Sequence, residues 1–447
     1  MKRWSLILSL LLSTMMVVDA QTVYTLDSCK AMALRSNLTV QNKRLAEESA
    51  REVKKAAFTK YFPSVSAVGV GFWLTNPMVD MNYDLGRWQT NFFSPISLSI
   101  DLPSIPMQMM RSGMMGGVTA VQPVFAGLRI VRGNQLAKVG VDAAALQTKM
   151  SADEVCTQVE YYYWQIVALQ EKQKMLDMLD RQLARIGADV EAAVAAGVTT
   201  GNDILRVQLK QQELASGRLR VQNGIRTYKA VLRQTAQLPT PDFEVAVDSL
   251  VMMDFPQQEY VDPEVGVSGR VESQLLDMQV RAAELQTQMK IGEYLPQVAV
   301  GAGYSAYLMD VNADNVASNH FGMVFGMVSV PLTGWWEGAH AIRQSRFQEQ
   351  VARNERDNNL QLMAVQVQQS WNEYEEAYQQ LVIAQHSIEL AKDNLRMQQD
   401  FYEAGTTTLT ELLSAQSMLQ QSSDGFAEAY VNCQIARSQY LKNIGKY

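Results

Sequence analysis

Two carboxylates stand in matching places of two look-alike stretches. Asp203 lies in AGVTTGNDILRVQ (196–208), and Glu411 lies in AGTTTLTELLSAQ (404–416). Each follows a Gly and two Thr, a turn signal, so each falls in the first turn of a helix, where the dipole favours negative charge. This places charge; it does not set up acid–base catalysis. His320, His340 and His386 are scattered, and no Ser-His-Asp order, phosphate-cradling Gly loop or carboxylate pair stands out. No enzyme is expected. Cys29, Cys156 and Cys433 lack metal-ligand spacing, and an odd number closes no disulfide framework, so they read as buried small apolar residues. Met107, Met109, Met110, Met114 and Met115 offer thioethers that suit Cu(I). Such residues more often fill packing gaps, and no metal site is assigned. Tyr161 to Trp164 reads as helix–helix packing, and Trp335-Trp336 fits an aromatic belt at a membrane surface.

The elements that carry these residues repeat. Ala196, Gly197, Thr199, Thr200, Leu205 and Gln208 recur 208 positions later as Ala404, Gly405, Thr407, Thr408, Leu413 and Gln416. The same offset relates Pro123 to Pro331 and Tyr163 to Trp371. Further upstream the offset is 233, relating Tyr61–Val65 to Tyr294–Val298, so the first copy holds 25 extra residues between Pro63 and Pro123. Each copy reads helix, strand, strand, long helix, turn, helix. The long helices are expected over 131–195 and 342–404, each about 95 Å at about 1.5 Å per residue. That length suggests coiled coils. Shorter helices follow at about 202–237 and 409–444. Strands are expected at 64–74, 114–124, 297–308 and 321–331, each long enough to cross a bilayer at a tilt. Which face would meet lipid stays open, because apolar residues occupy both parities.

Composition narrows the class. The chain has 447 residues, 47% apolar and only 19% charged, below the usual quarter. Residues 1–20 read as a signal peptide: basic Lys2 and Arg3, an apolar run from Trp4 to Val18, and small residues before Gln21. Loss of those two bases and Asp19 takes the formal charge from -7 to -8. Nucleic acid is not expected as a partner, since it needs a basic footprint. No later stretch is apolar enough for a membrane-spanning helix, so membrane entry requires a β-barrel. Four strands cannot close one. Two copies of the chain would give a plugged eight-stranded barrel, and three would give twelve strands with a lumen. The domains are then a signal peptide (1–20), a first repeat (21–238), a Pro- and Asp-rich linker (239–268) and a second repeat (269–447). The extra connection of the first copy, 75–113, belongs at the outer end, with Trp88, Phe92 and Phe93 packing it down.

The element order, the duplication, Ala33–Asn37 (ALRSN), the strand entry Tyr61–Ser64 and the two AG-Thr-Thr tips together resemble the TolC family across 22–447. The resemblance implies a mainly α fold with a membrane β-barrel portion. Four strands per chain would complete a trimeric twelve-stranded barrel in outer-membrane lipid, above a coiled-coil helical tunnel in the periplasm. It also implies an exit duct for efflux or secretion, a homotrimer that works with a periplasmic adaptor and an inner-membrane pump and needs no cofactor. The linker would form the mid-tunnel belt. Tyr402 aligns with a family Tyr that holds the tunnel entrance shut, and Asp203 with its acidic partner. The family's Arg falls on uncharged Thr407, and its inward acidic pair on Glu411 and Ser414. The alternative is a soluble periplasmic coiled-coil adaptor or scaffold, which explains the helices but not the strands.

Overall fold

The computed structural model describes the backbone of residues 22–76, 79–83, 87–90, 98–101, 105–109, 112–246, 250, 259–312 and 315–447, and side chains outside 77–111 and 310–316. The signal peptide, Phe92, Phe93 and part of the linker lie outside the described residues. The chain is mainly α with a sheet, and it divides into two compact units.

One unit comprises residues through Ser49, Asp142–Gln279 and Arg353–Tyr447. It holds β1 (Thr22–Tyr24), α1 (Leu26–Ser36) and the start of α2 (Leu38–Thr59). It also holds most of α3 (Arg129–Ala195), then α4 (Gly201–Ala236), β2 (Phe243–Val245), α5 (Pro263–Gly269) and the start of α6 (Val271–Glu293). Most of α7 (Gly334–Glu403) and all of α8 (Leu409–Asn443) complete it. The helices pack by burying apolar stripes. Leu176, Leu179, Leu183, Ile186 and Val190 of α3, three or four residues apart, meet Val207 and Leu214 of α4, Leu395 of α7 and Leu412, Ala415 and Leu419 of α8. Tyr163 and Trp164 pack as expected: the Tyr163 hydroxyl donates to the Ala246 carbonyl, and Trp164 lies 5.8 Å from Tyr430. All three cysteines are buried and free.

The linker is tied down. Strand β2 pairs in parallel with β1. The Arg437 guanidinium grips Glu259 through Nε at 3.2 Å and through Nη2. The buried Tyr440 hydroxyl accepts from Val261 N–H at 2.8 Å and donates to the Glu259 carbonyl at 3.1 Å. Around it stand Tyr374, Trp371 and Tyr260.

The other unit comprises Ala50–Val141 and Val280–Ala352. Its strands are β3 (Ser64–Trp73), β4 (Val79–Tyr83), β5 (Arg87–Thr90), β6 (Leu98–Asp101), β7 (Ile105–Met109), β8 (Ser112–Ala126), β9 (Gln297–Asn312) and β10 (Asn315–Ser329). The four long strands form one antiparallel sheet in the order β10-β9-β8-β3, which leaves β10 and β3 as edges. The expected strands are there, and the last three run longer than the sequence suggests. Inside 75–113 the structure has two nested antiparallel pairs, β4 with β7 and β5 with β6, where a plain connection was expected. At the entry to α3, Gly127 and Leu128 both have positive φ, +61° and +62°. A side chain at Gly127 would collide with the backbone of Gly292, so glycine is required at this crossing. Trp335 donates its indole N–H to the Tyr294 carbonyl at 2.9 Å, and Trp336 is exposed.

Candidate functional site: the paired helix tips

The two AG-Thr-Thr stretches end their long helices with the same hydrogen-bond pattern. At the first tip Gly197 N–H reaches Val194 O at 3.0 Å and Val198 N–H reaches Ala193 O at 2.9 Å. At the second, Gly405 N–H reaches Tyr402 O at 3.0 Å and Thr406 N–H reaches Phe401 O at 2.9 Å. These are Schellman closures, with glycine in the left-handed region at φ +73° and +72°. Nothing lies within 4 Å of either missing Cβ, so backbone conformation selects glycine here and crowding does not. Thr200 and Thr408 then cap the next helices in extended conformation, and the Thr408 hydroxyl accepts from Glu411 N–H at 3.3 Å.

Asp203 and Glu411 both occupy the first turn of their helices, as the sequence indicates. Their surroundings differ. Asp203 is half-buried, accepts from the Thr199 hydroxyl and lies 4.0 Å from the Arg206 guanidinium. Glu411 is exposed. Tyr402 is half-buried against the helical core beneath the tips. Its burial, and then the charges of Asp203 and Asp189, hold its hydroxyl above the ordinary phenol range, so it is a protonated donor at neutral pH. Within the single chain Tyr402 and Asp203 are neighbours in charge, and Asp203 is engaged by Thr199 and Arg206. Thr407 donates to Gln398 Oε1 at 3.2 Å and brings no charge.

One tip residue has no signal of its own in the sequence. Arg206 of the first tip donates from Nη1 to the Thr410 hydroxyl of the second, joining α4 to α8. Its position three residues after Asp203 is visible in the sequence, but its reach to Thr410 depends on two helices 204 positions apart lying side by side. Further along α4, Arg218 bonds to Asp177 at 2.8 Å and to Asp180 at 3.1 Å, both on α3. Among the described residues no group of His, Cys, Asp and Glu could hold a metal ion, and no helix is long and apolar enough to cross a membrane.

Comparison with known proteins gives a family match for part of the chain and a fold match for nearly all of it. The model of the outer membrane efflux protein family matches residues 274–445, nearly the whole second repeat. No curated protein sequence matches the chain. Among solved structures, the Campylobacter jejuni CmeC outer membrane channel superposes with a TM-score of 0.74 at 13% identity, covering 94% of this chain and 85% of that one. The outer membrane protein VceC of Vibrio cholerae gives 0.70 at 12% identity, covering 94% and 96%. The open state of the Neisseria gonorrhoeae MtrE outer membrane channel gives 0.72 at 13% identity, covering 94% and 88%. The second repeat matches the model of the outer membrane efflux protein family, and nearly the full chain shares the fold of these outer membrane channels.

Proposed function

We propose that this protein is the outer-membrane exit duct of a tripartite efflux or secretion system, passing substrates from an inner-membrane pump and a periplasmic adaptor to the cell exterior. The observation that carries this is the sheet. Its edge strands β3 and β10, 10 and 15 residues long, have no partner beyond them among the described residues and expose Val65, Val68, Val324 and Val328. Open edges are not tolerated in hydrocarbon, so further copies must pair with them. Three copies give twelve strands and a lumen. The helices support the same assembly. Ile383, Leu390 and Met397 of α7 are exposed at seven-residue spacing, a coiled-coil seam left uncovered by the described residues of the chain. The test is the mass of the detergent-solubilised complex. A stable monomer with an intact β signal refutes the channel, and a dimer refutes the twelve-stranded barrel.

The tips form the periplasmic entrance in this reading. Tyr402 and Asp203 help to hold it closed, and threefold symmetry gathers three Glu411 carboxylates into a ring that attracts cations. In planar bilayers, Tyr402→Phe combined with Asp203→Ala raises conductance, and Glu411→Gln lowers cation selectivity. A double variant that conducts like wild type removes the latch. Unchanged selectivity removes the ring.

A further inference from the structure

The four long strands decide a question that their composition leaves open. Along β9, exposure alternates residue by residue: Ala302, Tyr304, Ala306 and Leu308 are exposed, while Gly301, Gly303, Ser305 and Tyr307 are covered or half-covered. Strand register carries this face across the sheet, through Met115 on β8, Val70 and Phe72 on β3, and Phe321, Met323 and Phe325 on β10; Phe72 and Phe325 are half-covered, while Met115, Val70, Phe321 and Met323 are exposed. On this face rings close over glycines. A Cβ at Gly113 would stand 2.9 Å from the Phe72 ring, and one at Gly301 would collide with the Phe325 ring. A Cβ at Gly117 would stand 2.6 Å from Ser305 Oγ. Side chains crowd on the inside of a bent sheet and splay on the outside, and glycines with covering rings let the inside close. The crowded face is therefore concave. The opposite face, with the exposed Val65, Trp73, Tyr304, Leu308, Val324 and Val328, is convex.

Neither face carries an Asp, Glu, Lys or Arg within 64–73, 112–126, 297–309 or 317–329. The concave face presents the rings of Phe72, Phe321 and Phe325 and the thioethers of Met115 and Met323 beside the hydroxyls of Ser64, Ser66, Thr119 and Ser305. Rings and sulfur make specific contacts with other rings and with cations over their faces. A bore of this composition gives small ions no fixed charge to bind. Resting on the channel reading above, we propose that the concave face is the bore, that the convex face lies against lipid acyl chains, and that the bore is a neutral track for ring-bearing amphipathic substrates.

The test uses the full-length protein in planar bilayers. Ser305→Cys and Ala306→Cys are neighbours on β9 with opposite faces, and the three native thiols are buried. A charged methanethiosulfonate is expected to step down the current through Ser305→Cys and to leave Ala306→Cys unchanged. The reverse pattern, or the same response at both positions, overturns the face assignment. Tetraphenylphosphonium and tetraethylammonium carry equal charge and differ in rings. The first is expected to block at lower concentration, and Phe321→Ser is expected to weaken that block about two- to fivefold. Equal block by the two ions, or an unchanged block in Phe321→Ser, overturns the track. Glu411→Gln is expected to keep the preference for the ring-bearing ion; its loss there assigns the preference to the entrance and overturns the proposal. Absence of any conductance from wild type counts against the channel reading itself, which separates the two failures.

Discussion

Replacing Arg206 by Ala removes the contact that ties the first tip to the second. The side chain is 45% exposed, so its bond to Thr410 and its 4.0 Å approach to Asp203 are partly screened by water. A buried charge-assisted bond contributes about 1.5–3 kcal/mol. At this exposure about 0.5–1 kcal/mol per chain is the appropriate figure. If three chains open together, the closed entrance loses about 1.5–3 kcal/mol, which raises the open fraction roughly ten- to a hundredfold at about 1.4 kcal/mol per decade. Ala is the best helix former and position 206 is exposed, so the variant folds. Single-channel recording measures open probability directly. The gain is expected to shrink between about 0.1 M and 1 M salt, because screening shortens from about 10 Å to about 3 Å. Arg206→Lys keeps the charge and is expected to fall between wild type and Arg206→Ala. An open probability for Arg206→Ala equal to wild type at low salt refutes the reasoning, since the contact would then hold nothing shut.

Three other outcomes can be checked on purified protein or cells. Burial pushes the Cys29 and Cys433 thiols up to about 11 and raises that of Cys156. At pH 8 a thiol reagent is expected to find no reactive cysteine in the native protein and all three after unfolding in guanidinium. Because the folded thiols titrate above their unfolded value of 9.0, their share of stability is intact below pH 9 and is lost as pH rises towards about 11, which alkaline unfolding followed by circular dichroism reads out. Tyr440→Phe leaves the Val261 N–H without its acceptor and is expected to cost about 1–3 kcal/mol, measured as a lower denaturation midpoint. A cysteine at Thr90, in the inserted β5, is expected to react with an impermeant reagent on intact cells; reaction only after the outer membrane is opened contradicts an exterior position for 75–113.

How much of this the sequence revealed follows from how local each signal is. The helix ends at Ala195 and Glu403 lie at the positions where Gly197 and Gly405 signal a stop, because a Schellman closure is written in a few consecutive residues. Strand positions are legible beside Pro63, Pro123, Pro296 and Pro331 for the same reason. The pairing of β1 with β2 is not, because Thr22–Tyr24 and Phe243–Val245 are three-residue segments whose only reason to be extended is each other. The nested pairs in 75–113 are also missed: strands of four and five residues broken by turns give too few positions to show a period of two. Face assignment in the sheet fails for a third reason. Both parities are apolar, and what separates them is curvature, which depends on cross-strand neighbours such as Phe325 over Gly301.

The two tips show what duplication has kept and what it has let go. The paired helices are nearly equal in length, 67 and 70 residues for α3 and α7, 36 and 35 for α4 and α8. Their turns use the same closure at glycines whose φ angles are +73° and +72°. Backbone geometry is constrained in both copies, because each must reverse a long helix within five residues. Side-chain use is not constrained in that way. In the second tip Thr408 caps Glu411 N–H and leaves the Glu411 carboxylate exposed; in the first, Thr200 makes no side-chain cap, and Thr199 with Arg206 engages the Asp203 carboxylate. One carboxylate is engaged by its own tip and the other stays exposed. In the proposed trimer this gives six tips of one shape with two functions: the first-copy tips hold the entrance through hydrogen bonds, and the second-copy tips present its charge. Because these functions rest on different residues, closure and ion preference should vary independently, with Arg206→Ala changing open probability at constant selectivity and Glu411→Gln changing selectivity at constant open probability.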